Sequence, residues 1–212
     1  MTTSRTHART GRLALATGVA GASAAAYVVA TERVRADRVE RAETLPGDDV
    51  IPSPIGSLTN AITIHRPPRD VWPWLAQMGA GSRAGWYSYD AIDNGGRSSA
   101  SRIVPELQQL TVGMVFPALP NATDGFVLLS YEPEGSLVLG WRSPTGAPLV
   151  TWAFVLRAME HGATRLIVRA RGGPGYQFHG MPWALAKHIV PFGHFVMQRK
   201  QLLGIAWRAE QV

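Results

Sequence analysis

Cysteine is absent from the 212 residues, and lysine nearly so: Lys187 and Lys200 are the only two. Without cysteine there is no disulfide framework, no thiol nucleophile and no thiolate metal site. Charge is sparse as well, at 17% of residues against about 25% in ordinary domains. The net charge of +6 is carried almost wholly by arginine. Those arginines are strewn along the chain, mixed with acids or set at strand spacing, as in Arg165, Arg169 and Arg171. A nucleic-acid surface needs clustered phosphate contacts, so no nucleic-acid partner is expected. Catalytic signatures are missing too. No G-x-S-x-G and no H-E-x-x-H occurs, and the histidines at 7, 65, 161, 179, 188 and 194 form no i, i+4 pair. The Gly-rich "RGGPGYQ" (171–177) lacks the lysine of a phosphate loop and reads as a turn or as a loop at a cavity mouth. No cofactor is expected.

What the sequence does contain begins with an uncharged run, "LALATGVAGASAAAYVVA" (13–30), after a basic tail over 1–12. As a helix it is about 27 Å long, close to the bilayer core of about 30 Å. Eight of its residues are alanine and only five are leucine or valine. It reads as a single-pass anchor that would touch membrane lipid, as a cleaved secretory signal ending in small residues, or as an ordinary surface helix. The anchor reading is favoured by Tyr27, Val28 and Val29, and the arginines after the run favour a cytoplasmic domain. Residues 31–57 follow as a charged helix and a Pro/Gly-rich tether, "LPGDDVIPSPIGS", expected to be extended.

A folded domain is expected over 58–212. "SLTNAITIHRP" (57–67) alternates as a strand does, and "RDVWPWLAQMG" (69–79) repeats its apolar residues as a helix does, with Gly79 as terminator. Five strand-like segments follow, at 113–119, 125–132, 136–143, 149–160 and 163–172, separated by hairpin-length turns. In the last, apolar and charged positions alternate, which predicts an antiparallel sheet with one covered and one wet face. The cover is the C-terminal run from Pro182 to Glu210, apolar at helical spacing and expected to be kinked or interrupted near its start by Pro191 and Gly193. The class is α+β.

Four blocks in this order, "VWPWLAQMG", "RAGWYSYDAIDN", "RIVPELQQLTVG" and "FVMQRKQLLGIAWRAE", resemble the bacterial SRPBCC proteins, the START-like, polyketide cyclase/dehydrase-like superfamily. The "LPGDD" at 45–49 belongs to the same resemblance, which covers residues 45–210. It implies a helix-grip fold: a curved antiparallel sheet wrapped around a long C-terminal helix, here with an N-terminal hydrophobic helix. It implies a cavity between sheet and helix, and no single activity.

Candidate site residues follow from that cavity. The stretch "RAGWYSYDAIDNGG" (83–96) sets three aromatic rings beside two aspartates, an asparagine and three glycines. In a helix-grip protein it would form a helical lid. Trp86 and Tyr89 suit a ligand wall or a core. Asp90 and Asn94 sit at i, i+4, with Arg83 or Arg102 in reach of Asp90, and either polar residue would contact ligand or brace a short helix. Asp90, Asp93 and Asn94 offer three oxygens, too few for a hard-cation site, so no metal is expected. Trp141 and Trp152 lie on expected strands, and His194 and Gln198 stand one turn apart on the closing helix. The ligand-binding candidates are therefore Trp86, Tyr89, Asp90, Asn94, Arg102, Trp141, Trp152, His194 and Gln198. For proton transfer the candidates are Asp90 and His194.

Three functions remain open on this basis. The favoured one is a membrane-tethered binding domain for a small hydrophobic or amphipathic molecule, lipid- or polyketide-like. The second is a cyclase- or dehydratase-type enzyme using the same cavity. The third is an interaction module whose cavity is filled.

Overall fold

The computed structural model describes residues 32–122, 125–176 and 183–211, the last with side chains from 191 onward. Two compact units divide the chain, Met1–Val34 and Arg35–Val212, and every element named here belongs to the second. The elements are α1 (Arg38–Ala42), β1 (Gly56–Ile64), α2 (Pro68–Ala76), α3 (Asp90–Asp93), β2 (Val115–Pro117), β3 (Gly125–Glu132), β4 (Ser136–Arg142), β5 (Pro148–Ala158), β6 (Thr164–Gly172) and α4 (Trp183–Ala209). Short 3-10 turns at Pro105–Leu107 and Glu160–Gly162 complete them.

All strand pairs are antiparallel, and the spatial order is β1-β6-β5-β4-β3-β2. The consecutive strands β2 to β6 form a meander, because each connection is a short turn. The chain's first strand then closes against its last, β6, in unbroken register from Gly56↔Gly172 to Ile64↔Thr164. Period-two alternation sorts the side chains. Leu139, Trp152, Phe154, Leu156, Leu166 and Val168 occupy one face of the register. Leu202, Ile205, Ala206 and Ala209 of α4 are buried, as are Val71, Trp74 and Leu75 of α2, and both helices touch the sheet and each other. Trp74, not Trp72, is the fully buried tryptophan of α2, while Trp72 stacks on Tyr131 with ring centroids 6.3 Å apart. The architecture is α+β, a curved sheet holding one long helix. The fold is a helix grip.

Three expectations need correcting. The first concerns residues 35–55, which are no extended tether. Arg35 bridges Asn60, Asp37 and Glu40 form a reciprocal N-terminal cap on α1, and Leu45 and Ile51 are buried. Ala36 and Leu45 pack with Ala61, Val155 and Ile167 into a small second core. The expected wet face of the sheet is thus covered here. The cause lies in the three arginines of β6: Arg165 pairs with Glu40 at 2.6 Å, Arg169 with Asp48 at 2.6 Å and Arg171 with Asp48 at 3.0 Å. Arg169 also donates to the carbonyls of Glu40, Arg41 and Glu43, so segment 40–48 is stitched down by one side chain. Gly47, at φ +85°, lies so close to the sheet that a Cβ there would meet Val138 Cγ1 at 2.5 Å.

The second correction concerns α4, which runs through Pro191 as a single 27-residue helix. Proline removes one backbone donor but does not by itself stop a helix held by packing. The third concerns the membrane. No helix among the described residues is long and apolar enough to cross a bilayer, so the expected single-pass membrane placement, with its cytoplasmic domain, is not supported. The long helix α4 carries Arg199, Lys200 and Arg208 and buries Leu202, Ile205, Ala206 and Ala209. The segments 1–12 and 13–30, with the anchor and signal readings, lie outside the described residues.

Candidate functional site

The loop between α2 and α3 is built on close backbone approach. Gly79 and Gly85 exchange backbone hydrogen bonds of 3.1 and 2.7 Å, which turns the chain back on itself just before the aromatic run. Arg83 is buried there and donates to the carbonyls of Ala76 and Met78, its guanidinium 4.3 Å from the Phe116 ring centre. Trp86 then donates its indole N–H to the carbonyl of Pro117 at 3.1 Å, fixing that ring against the end of β2. Tyr87 stands at φ +59°, fully inside, its hydroxyl accepting from Gln77. Ser88 Oγ donates to the carbonyl of Met197 at 3.0 Å and so ties the loop to α4.

A partly open cavity of about 130 Å³ lies between this loop, the sheet and α4. Its wall is aromatic. Trp86 and Trp152 stack with centroids 5.4 Å apart, and Phe126 closes on both, at 5.9 and 5.3 Å. Ala118 and Met197 add apolar surface. The polar lining comes from Ser88, Asp93, His194, Gln198 and Gln201. Most of it is already partnered: Gln198 accepts from the Trp152 indole at 2.9 Å and donates to Gln201 at 2.7 Å. Two atoms are not. Asp93 Oδ1 and His194 Nε2 are both buried without a hydrogen-bond partner in the protein.

Those two groups are also the ones whose acidity is displaced. Burial pushes the Asp93 carboxyl up to about 6, and the nearby Asp90 carboxylate adds to the rise. Burial alone pulls His194 down to about 4, because the apolar wall disfavours the imidazolium. At neutral pH the ring is uncharged.

Four of the expected site residues line this cavity: Trp86, Trp152, His194 and Gln198. The others stand elsewhere. Tyr89 precedes α3 and is 38% exposed. Asp90 is taken up by Ser99, accepting from its backbone N–H at 3.0 Å and its hydroxyl at 2.5 Å. Asn94 braces the loop, accepting from Gly81 N–H and donating to Arg97 O. Arg102 is exposed, and Trp141 sits behind the wall, edge-on to Phe126 at 5.3 Å. The expected lid is the four-residue helix α3 with its flanking loops.

Met197 and Gln201 were missed although their spacing from His194 and Gln198 puts all four on one helical stripe, a signal within reach of the sequence. Phe126 was missed because nothing in β3 says which face turns inward until the register is known. Asp93 carries no such signal. It shares a single helical turn with Asp90, and only the fold decides which carboxyl meets Ser99 and which meets the cavity.

A second groove, of about 470 Å³, runs beneath residues 41–52. It is lined by Arg41, Arg169 and Arg171 against Glu43, Asp48 and Asp49, so it selects neither anion nor cation. Among the described residues no cluster of His, Asp or Glu is able to hold a metal ion.

No family model matches the chain, and no curated protein matches it. Solved structures do match in part. A protein from Mesorhizobium loti is 14% identical, with 74% of this chain and 98% of that chain covered and a TM-score of 0.46. A polyketide cyclase-like protein from Corynebacterium glutamicum, solved by NMR, is 14% identical over 74% of this chain and 91% of that chain, with a TM-score of 0.44. DynU16, a protein of the dynemicin biosynthetic locus, is 16% identical over 70% of this chain and 46% of that chain, with a TM-score of 0.37. This chain's own sheet order and closing helix carry the helix-grip assignment.

Proposed function

We propose that the protein binds a small, largely apolar molecule in the cavity between its sheet and its C-terminal helix. The observation that supports this is an aromatic-walled cavity whose lining includes two buried, unpartnered polar atoms, Asp93 Oδ1 and His194 Nε2. A purely structural core would be expected to fill such space or to satisfy those groups internally. The volume of about 130 Å³ is near the roughly 150 Å³ at which an apolar protein cavity takes up benzene. It suits a compact ligand better than a full acyl chain. Native mass spectrometry of the full chain purified from its host tests the reading. A co-purifying small mass, lost on Ala118→Leu or Trp152→Ala, supports it, and an empty chain that also ignores a panel of small aromatic and aliphatic molecules defeats it.

A cyclase- or dehydratase-type reaction in the same cavity is the second reading, favoured by the titratable character of the two unpartnered groups. Asp93, titrating at about 6, is suited to a general acid near neutral pH. His194, at about 4, is a weak base, which favours binding over proton abstraction by that ring. Turnover that falls by orders of magnitude in Asp93→Asn while ligand affinity is kept would select this reading.

A further inference from the structure

Resting on the binding reading, we infer that the ligand is a neutral monocyclic aromatic molecule bearing a hydroxyl-type hydrogen-bond donor, held at its polar end between Asp93 and His194. The described lining offers no cation and leaves two polar atoms unpaired. Among the described lining residues there is no lysine or arginine, and the acid that is there, Asp93, is backed by Asp90. A carboxylate or phosphate would meet like charge there and no counter-charge from those residues, which disfavours fatty acids and phosphorylated molecules. A saturated chain would leave both Asp93 Oδ1 and His194 Nε2 unpaired and would not use the flat faces of Trp86 and Trp152.

The remaining polar lining discriminates little. Gln198 bonds to Gln201 and to Trp152, and Ser88 bonds to the α4 backbone, so a ligand would have to break these contacts to use them. Among the described lining residues that leaves two addressable positions. The ionised carboxyl accepts only, and the neutral imidazole offers one nitrogen that donates or accepts according to its tautomer. A phenolic hydroxyl carries both halves of what these positions take, an O–H to donate to Asp93 and an oxygen to accept from His194. The cavity volume admits one ring and a few further atoms. The two groups come from different elements, α3 and α4, so such a ligand would also bridge the short helix to the closing one.

The test uses the full chain at pH 7.5 with three probes of one shape: toluene, p-cresol and p-toluate. Binding is read by ligand-observed NMR and by quenching of tryptophan emission, since Trp86 and Trp152 form the wall. The expected result is p-cresol at least about tenfold tighter than toluene, with p-toluate weakest. Asp93→Leu should erase the preference for p-cresol, and Asp93→Asn, which keeps an acceptor oxygen, should retain it. His194→Phe supplies a second, independent loss. Near-UV circular dichroism confirms that each variant is folded. Equal affinity for toluene and p-cresol, or tightest binding of p-toluate, overturns the polar clamp and leaves the binding reading standing. Failure of all three probes at millimolar concentration overturns both.

Discussion

Trp152, on β5, donates its indole N–H to Oε1 of Gln198 on the closing helix at 2.9 Å. The bond spans the sheet-helix interface at the edge of the cavity, and both partners are among its lining residues. It gives the wall tryptophan a partner for its only polar atom, which is what lets so large a ring stand beside empty space without a buried unpaired donor.

Removing that donor should be costly. Trp152→Phe leaves Gln198 Oε1, almost fully buried, without its partner, and an unpaired buried acceptor costs roughly 1–3 kcal/mol. A double-mutant cycle with Gln198→Leu should recover part of the loss, with a coupling energy of about 1 kcal/mol. Urea denaturation of the four proteins measures it. Strict additivity would show that the bond contributes nothing.

Asp93 and His194 pull stability in opposite directions over nearly the same pH range. Asp93 titrates at about 6 instead of 3.8, so the folded chain holds that proton more tightly and stability falls as pH rises through this window. His194 titrates at about 4 instead of 6.5, so the unfolded chain takes that proton first and stability falls as pH drops through it. In the wild type the two slopes largely cancel between pH 4 and 6. Asp93→Asn should expose the histidine slope, with melting temperature rising from pH 4 to 6.5, and His194→Phe should expose the opposite slope. Each should amount to roughly 2 kcal/mol across the window, allowing for partial solvent access. Parallel pH profiles for wild type and both variants would refute the assignment.

Arg169 anchors residues 40–48 to the outer face of the sheet. Arg169→Met deprives Asp48 of one of its two guanidinium partners and strands three backbone carbonyls, and losing one member of a buried ion pair costs about 3–5 kcal/mol. Arg171, which also pairs with Asp48, keeps the effect toward the lower end. Hydrogen exchange should quicken selectively over residues 36–50. Unchanged protection there would mean that the apolar contacts of Ala36 and Leu45 hold the segment unaided.

Gly204 of α4 passes over the backbone of the aromatic loop. A Cβ at 204 would overlap the Tyr87 carbonyl oxygen and lie 3.1 Å from Tyr87 Cβ. Because the obstacle is backbone, held by a residue at φ +59°, it cannot swing aside. Gly204→Ala should cost about 1–3 kcal/mol despite alanine's higher helix propensity, as a thermal melt would show. A stabilised variant would mean that helix and loop move apart at little cost.

Element type and order were legible because hydrophobic periodicity is local. Strand β3 has the very bounds expected, 125–132, and the closing helix lies one residue inside its expected span at each end. Residues 31–57 misled for the opposite reason. Prolines and glycines there do forbid long helix, yet whether such a segment extends into water or lies on a sheet depends on partners more than a hundred positions away, Arg165 and Arg169. The same arginines, read along the sequence, looked like a solvated strand face.

The site divides along the same line. Which residues are aromatic, which face of a long helix is apolar, and where glycine allows a tight return are written in the sequence, since each follows from side-chain chemistry at fixed local spacing. Trp86, Trp152, His194 and Gln198 were reachable that way. Which of two carboxyls in one helical turn meets Ser99, and which is buried in the cavity lining, was decided only by tertiary packing. Asp90 finds Ser99 nine residues on; Asp93 is left facing a helix a hundred residues away. Desolvation is a property of the assembled cavity, so the displaced acidity of Asp93 and His194 exists only once sheet, loop and helix have closed around them.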